Sequence, residues 1–180
     1  MVDAAARISP LDGRLFQDEG ILVEPAVPAV RLALRAPSAA RAALSKALGI
    51  DLSQRPKASA VHGARAALWL GPDEWLVIDE EGGDLMAACG TVTAFHSAVD
   101  VSHRNTALLV SGRRAADVLS AGCPQDLSRG AFPVGAASRT VFGKVEIVLW
   151  RTGEEAFRVE CWRSFSDYVF MLFEAAARDA

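Results

Sequence analysis

The residues predict an α+β fold made of two similar units, each running strand, helix, strand, strand, helix. Three observations lead there. Short apolar runs of strand length alternate with segments of helical spacing, glycine-bearing turns split paired runs at matching places in both halves, and an Asp-Leu-Ser tripeptide recurs at residues 51–53 and 126–128.

Residues 1–29 carry Pro10, Pro25 and Pro28 together with Asp12-Gly13 and Glu19-Gly20. Such punctuation predicts an extended N-terminal arm with turns and no helix. The arm has little apolar content for a core of its own, and it can lie across this chain or across a neighbour. Residues 30–180 then form a single domain of two pseudo-repeats, about 30–101 and 102–180.

The first unit opens with a strand at residues 31–35. Pro37-Ser38 starts a helix whose apolar face is Ala40, Ala43, Leu44, Ala47 and Leu48, and Gly49 ends it. Residues 67–70 and 75–78 are strands of a hairpin turning at Gly71-Pro72-Asp73-Glu74, and a helix holding Leu85, Met86 and Ala88 stops at Gly90. The second unit follows the same order: a strand at 106–110, a helix with Ala115, Val118 and Leu119 ending at Gly122, and strands at 145–150 and 157–161 around Thr152-Gly153-Glu154. Ser164 caps a final helix with Asp167 at its third position, and Phe165, Tyr168, Val169, Leu172 and Phe173 form its apolar stripe. Matching Trp69 to Trp150 and Leu76 to Phe157 sets an offset of 81, against 75 for the tripeptide, which puts six extra residues in the 133–141 connection.

Composition narrows the function. At 180 residues the chain can bury roughly 70% of its unfolded surface without covalent staples. Cys89, Cys123 and Cys161 are few, odd in number and far apart, as expected of a reducing, cytoplasmic compartment. No signal peptide or membrane-spanning run is read from the sequence. The net charge is −3 with mixed signs along the chain, which speaks against nucleic acid or an anionic membrane as partner. Sixteen of the 19 basic residues are arginine, and alanine occurs 33 times, the usage of a GC-rich genome; arginine also suits bidentate contacts between proteins.

Catalytic signatures are missing: there is no GxSxG elbow, phosphate loop, GxGxxG or HExxH, and no Cys/His set with metal spacing. Gly82-Gly83 at a helix start reads as a turn sooner than an anion cradle. His62 falls in a polar loop and His96 in a strand, both as structural or solvent-facing residues, and Cys161 reads as a buried inert thiol. The densest polar cluster is Asp100-Val101-Ser102-His103-Arg104-Asn105. Its acid, hydroxyl and imidazole suggest a triad, yet neighbours on one extended segment point to opposite faces. A turn bonded by its own short polar side chains, or a surface presenting Ser102, His103, Arg104 and Asn105 to a partner, both fit better. In Trp162-Arg163-Ser164-Phe165-Ser166-Asp167-Tyr168 the aromatic residues read as core sooner than as a docking surface, although Trp, Tyr and Arg are favoured anchors, and Arg163 is the better interface candidate.

Four stretches, residues 67–76 (Ala-Leu-Trp-Leu-Gly-Pro-Asp-Glu-Trp-Leu), 100–108, 121–127 and 148–168, resemble the gamma subunit of heterotetrameric sarcosine oxidase. The resemblance implies a non-catalytic assembly subunit beside alpha, beta and delta chains. The family complex oxidatively demethylates sarcosine to glycine, forms hydrogen peroxide, and hands a one-carbon unit to tetrahydrofolate. FAD, FMN, NAD and tetrahydrofolate are then expected in the partner subunits, with no catalytic, cofactor or metal ligand in this chain. The same stretches are distantly similar to the folate-binding aminomethyltransferase fold, itself an internal pseudo-repeat, so a stand-alone folate-binding protein is the alternative. That family carries paired aspartates where this chain has Val145-Glu146, a departure that weakens folate chemistry and leaves Glu146, with Asp100, as the carboxylates to test.

Overall fold

The computed structural model describes residues 9–179. In chain order its elements are β1 (Phe16–Asp18), β2 (Ile21–Pro25), β3 (Val30–Arg35), α1 (Ser38–Leu48), β4 (Ser59–His62), β5 (Arg65–Gly71), β6 (Glu74–Asp79), α2 (Leu85–Gly90), β7 (Ser97–Asp100), β8 (Asn105–Ser111), α3 (Ala115–Ser120), β9 (Ala137–Phe142), β10 (Val145–Gly153), β11 (Ala156–Trp162) and α4 (Ser166–Asp179). They build two antiparallel sheets, ordered β4-β5-β6-β3-β7 and β1-β2-β8-β11-β10-β9. None of the described helices is long and apolar enough to cross a membrane.

Alternation along each strand divides the interior into three apolar layers. Leu32, Leu34, Trp75 and Val77 turn one face of the first sheet to α1 and α2, and Leu108, Val110, Phe157 and Val159 turn one face of the second to α3 and α4. The opposite faces pack on each other through Leu68, Leu76 and Ile78 against Ala137, Val148 and Trp150. Each sheet therefore carries helices on one side, while its other side meets its twin. The end of α1 is built as expected: Gly49 adopts φ 65°, and the amides of Gly49 and Ile50 close on the carbonyls of Lys46 and Ser45.

The duplication is real, and each copy holds a strand between its first helix and its hairpin that the sequence reading did not place. β4 and β9 match one another, so the 133–141 segment taken for a connection contains a ladder strand. The copies meet where they begin: Ala58 bridges Ala136, Ser59 N–H donates to the Gly135 carbonyl at 3.1 Å, and Ala137 N–H donates to Lys57 at 2.8 Å. Both copies need a left-handed residue there, met by Gly135 at φ 86° and by Lys57 at φ 61°. The amides of Trp69 and Arg151 make the same bond, to Ala58 and Ala136. Trp69 thus corresponds to Arg151, one residue beyond the tryptophan that sequence alignment chose, and in a strand such a slip exchanges faces. Likewise Trp75 corresponds to Phe157, and both are fully buried.

The leading strand of each unit crosses to the other. β2 precedes β3 yet pairs with β8, at Pro25↔Leu108, and β7 precedes β8 yet pairs with β3, at Leu32↔Asp100. The N-terminal residues 16–25 accordingly lie on this chain, with Ile21 and Val23 in its core; residues 1–8 fall outside the described part. At the other terminus Ser164 caps nothing, because residues 163–165 form a 3-10 turn and α4 begins at Ser166, whose hydroxyl donates to the Arg163 carbonyl. The buried stripe of α4 is Val169, Phe170, Phe173, Ala176 and Ala177, whereas Phe165 and Tyr168 stay exposed.

Charged side chains join the two facing sheets. Arg31 from β3 donates to Glu160 at 2.6 Å, Arg158 donates to the other Glu160 oxygen at 2.8 Å, and Arg158 also reaches Glu80 at 2.5 Å. Arg31, Arg158 and Glu160 are nearly inaccessible to water; Glu80 is 41% exposed. At another place Glu74 accepts from Arg139 at 2.5 Å and from Arg35 at 2.9 Å. The Arg139 hydrogen bond, outweighing the cost of burial, holds the Glu74 carboxyl below its ordinary range.

Four substitutions test this packing. Glu160→Ala leaves the buried Arg31 guanidinium without a counter-charge and Arg158 with only Glu80, and should lower unfolding free energy by about 3–5 kcal/mol in urea titration. Lys57→Gly should stabilise by up to about 1 kcal/mol, and Gly135→Ala should destabilise by about 1–2 kcal/mol, since only glycine adopts the left-handed turn without strain. Glu74→Gln should cost about 1–2 kcal/mol at neutral pH. Because the folded-state pKa of Glu74 is the lower one, its contribution is complete above the unfolded value and disappears as pH falls through the folded value. The difference between wild type and variant should therefore fade below about pH 4.

Candidate partner surface at the crossover turn

The return from β7 to β8 crosses from one sheet to the other in four residues, 101–104, so its backbone needs local partners. The Asp100 carboxylate accepts from the Ser102 hydroxyl at 2.5 Å and from the Ser102 amide at 2.8 Å. These two bonds hold the Asp100 pKa below its usual value. Ser102 Oγ in turn accepts the Arg31 amide at 2.9 Å, and the amides of Arg104 and Asn105 both close on the Val101 carbonyl. A catalytic triad needs the hydroxyl proton directed at an imidazole. Here it goes to the carboxylate, so the turn is the self-bonded structure that its residue types favour.

Four of the five residues singled out from the sequence surround one cleft. Ser102, His103, Asn105 and Arg163 line a cavity of about 230 Å3, closed on another side by Val27 and Pro28 of the matching β2–β3 crossover. Arg104 lies on a different flank. Its guanidinium sits 5.2 Å from the centre of the Trp162 ring, its Nε donates to Asn105 at 3.1 Å, and its carbonyl accepts the Arg163 amide at 2.7 Å. Trp162 stacks on Phe165 with ring centres 6.0 Å apart. Both rings stand at the surface, whereas helical spacing assigns Phe165 to the core sooner than to a docking surface.

The remaining candidates have structural positions. His62 ends β4, not a loop, and its Nδ1 lies 3.1 Å from the Gly49 carbonyl; His96 precedes β7 in a bend, with Nδ1 2.7 Å from the Ala94 carbonyl. The Gly82-Gly83 turn has a carboxylate of this chain beside it. Asp79 bonds the amides of Glu81 and Gly83 and receives Arg65, and these contacts overcome burial to lower its pKa. Cys161 is buried, and desolvation followed by the neighbouring Glu160 charge pushes its pKa to about 12, far from thiolate chemistry at neutral pH. Among the described residues no three His, Cys, Asp or Glu side chains gather as metal ligands.

At the position of the folate comparison, Val145 is buried in the core and Glu146 lies 3.8 Å from Arg139. Glu146 lines a cavity of only about 60 Å3, shared with Glu74, Arg104, Arg139 and Trp162. Small-molecule sites run to roughly 300–1,000 Å3. Asp100 does not line this cavity.

The model of the sarcosine oxidase gamma subunit family matches residues 33–179. Sarcosine oxidase subunit gamma from Arthrobacter sp is 42% identical over 128 residues, covering 68% of this chain and 62% of that protein. The subunit gamma of Corynebacterium sp. (strain P-1) is 38% identical over 146 residues, covering 77% and 70%. The match thus spans less than two thirds of the Arthrobacter relative. Among solved structures, a chain of the heterotetrameric sarcosine oxidase from Corynebacterium sp. U-96, in complex with pyrrole 2-carboxylate, superposes with a TM-score of 0.84 at 30% identity, covering 96% of this chain and 95% of that one. Aminomethyltransferase T of the glycine cleavage system from Bartonella henselae shares the fold, with a TM-score of 0.66 at 13% identity over 86% of this chain and 45% of that one. By sequence along most of its length and by fold throughout, this chain belongs to the sarcosine oxidase gamma subunit family.

Proposed function

We propose that this protein is the gamma-type subunit of a heterotetrameric sarcosine oxidase, and that it contributes shape and contacts, not reacting groups. The observation that carries the reading is the superposition over 96% of the chain on a component of such a heterotetramer. The interior supports it: Arg31, Arg158 and Glu160 pair with one another, the Ser102 proton is directed at Asp100, and the Cys161 thiol is held protonated. Residues Ser102, His103, Arg104, Asn105 and Arg163 form the contact surface. In this reading alpha, beta and delta chains complete the assembly in the cytoplasm. They carry FAD, FMN, NAD and tetrahydrofolate, and the complex converts sarcosine to glycine and hydrogen peroxide with a one-carbon unit for folate.

Co-expression with sarcosine oxidase partner chains, followed by affinity purification through a tag on this chain, should yield a yellow multi-chain eluate that oxidises sarcosine. The isolated chain should be colourless and inactive, and titration with tetrahydrofolate to high micromolar concentration should produce no binding signal. Turnover by the isolated chain, or a partner complex that assembles fully active without it, would sink the proposal.

A further inference from the structure

Among the described residues the largest exposed aromatic rings outside residue 95 stand together. Trp162 is 43% exposed, Phe165 44% and Tyr168 38%, on a stretch whose other face, Val169, Phe170 and Phe173, already closes the core. Water-exposed stacked rings are uncommon without a partner, and Trp and Tyr are frequent anchors at interfaces.

Arg104 and Arg163 stand beside these rings, tied by a backbone hydrogen bond, on a chain whose net charge is −3. The neighbouring acid Asp167 is paired with Arg14 at 3.0 Å, and Glu146 lies beside Arg139. No carboxylate of the described residues forms an ion pair with Arg104. Trp162 holds its guanidinium plane, which reduces the entropy lost when a planar acceptor binds.

Resting on the subunit reading above, we propose that the Trp162–Phe165 stack with Arg104 is the docking platform for a partner subunit, and that the docking segment carries carboxylates. The rings bury against apolar atoms of that segment, and the Arg104 fork accepts a carboxylate in bidentate fashion. The Arg104 charge favours an acidic partner surface over a basic one.

The test uses the full chain co-expressed with sarcosine oxidase partner chains, with dissociation followed at about 50 and about 500 mM salt. Wild type should bind more weakly at high salt. Arg104→Glu and Phe165→Ser should each weaken assembly by about tenfold or more, Arg104→Lys by less, and Phe95→Ser, at a ring 86% exposed elsewhere, should leave it unchanged. Thermal melting of each isolated variant should stay close to wild type, since none of these side chains belongs to the core. If wild type assembles and Arg104→Glu and Phe165→Ser assemble equally well, the docking platform is wrong and the subunit reading stands. If wild type captures no partner chain, the subunit reading falls and takes the platform with it.

Discussion

Glu160 held between Arg31 and Arg158 is the constraint on which the arrangement of the two sheets depends. Two sheets that each carry helices on one side must hide their second faces, and apolar residues alone would permit the pair to slide. A carboxylate placed between guanidiniums from different sheets has few tolerable positions, because a buried charge that loses its partner is expensive. The apolar part of this layer includes small residues such as Ala33, Ala66 and Ala137, which leave room for the long arginine chains. Charge thereby supplies register where side-chain shape supplies only adhesion.

The fixed layer also locates the candidate partner surface. Arg31 contributes its side chain to Glu160 and its amide to Ser102, so the ion pair and the crossover turn share one residue. Each unit sends its leading strand into the opposite sheet, and both crossovers, residues 26–29 and 101–104, line the same cleft. The polar turn therefore sits beside the pseudo-twofold relation of the fold. Arg104 and Arg163 are joined through their backbones at its edge, where their side chains remain at the surface.

This chain shares its fold with an aminomethyltransferase, and its own interior carboxylates are engaged within the chain. Glu146 faces a space of about 60 Å3 and Val145 is buried, while nearby Glu74 is engaged by two arginines. Carboxylates so occupied hold sheets together. In this chain these polar residues act on its own architecture, while Trp162, Phe165 and Tyr168 stand exposed.

Much of the fold was legible in the amino-acid sequence. Helix α1 with its Gly49 stop, both hairpins, the repeated order of elements and the self-bonded turn at Asp100 follow from spacing, glycine positions and short polar side chains, which act over a few residues. Strands β4 and β9 were not legible, and β7 only as a strand about His96, because mixed polar and small residues become a strand only when a neighbour supplies the ladder. Trp69 was matched to Trp150 because residue type is visible in sequence while strand register is not. Phe165 and Tyr168 carry helical spacing, and only the position of the 3-10 turn decides that they face water. The alternating Phe157, Arg158, Val159, Glu160, Cys161 reads as a strand with one wet face. The second sheet makes that face dry and turns its charges into a buried link, a contact between residues more than a hundred positions apart that no local pattern records.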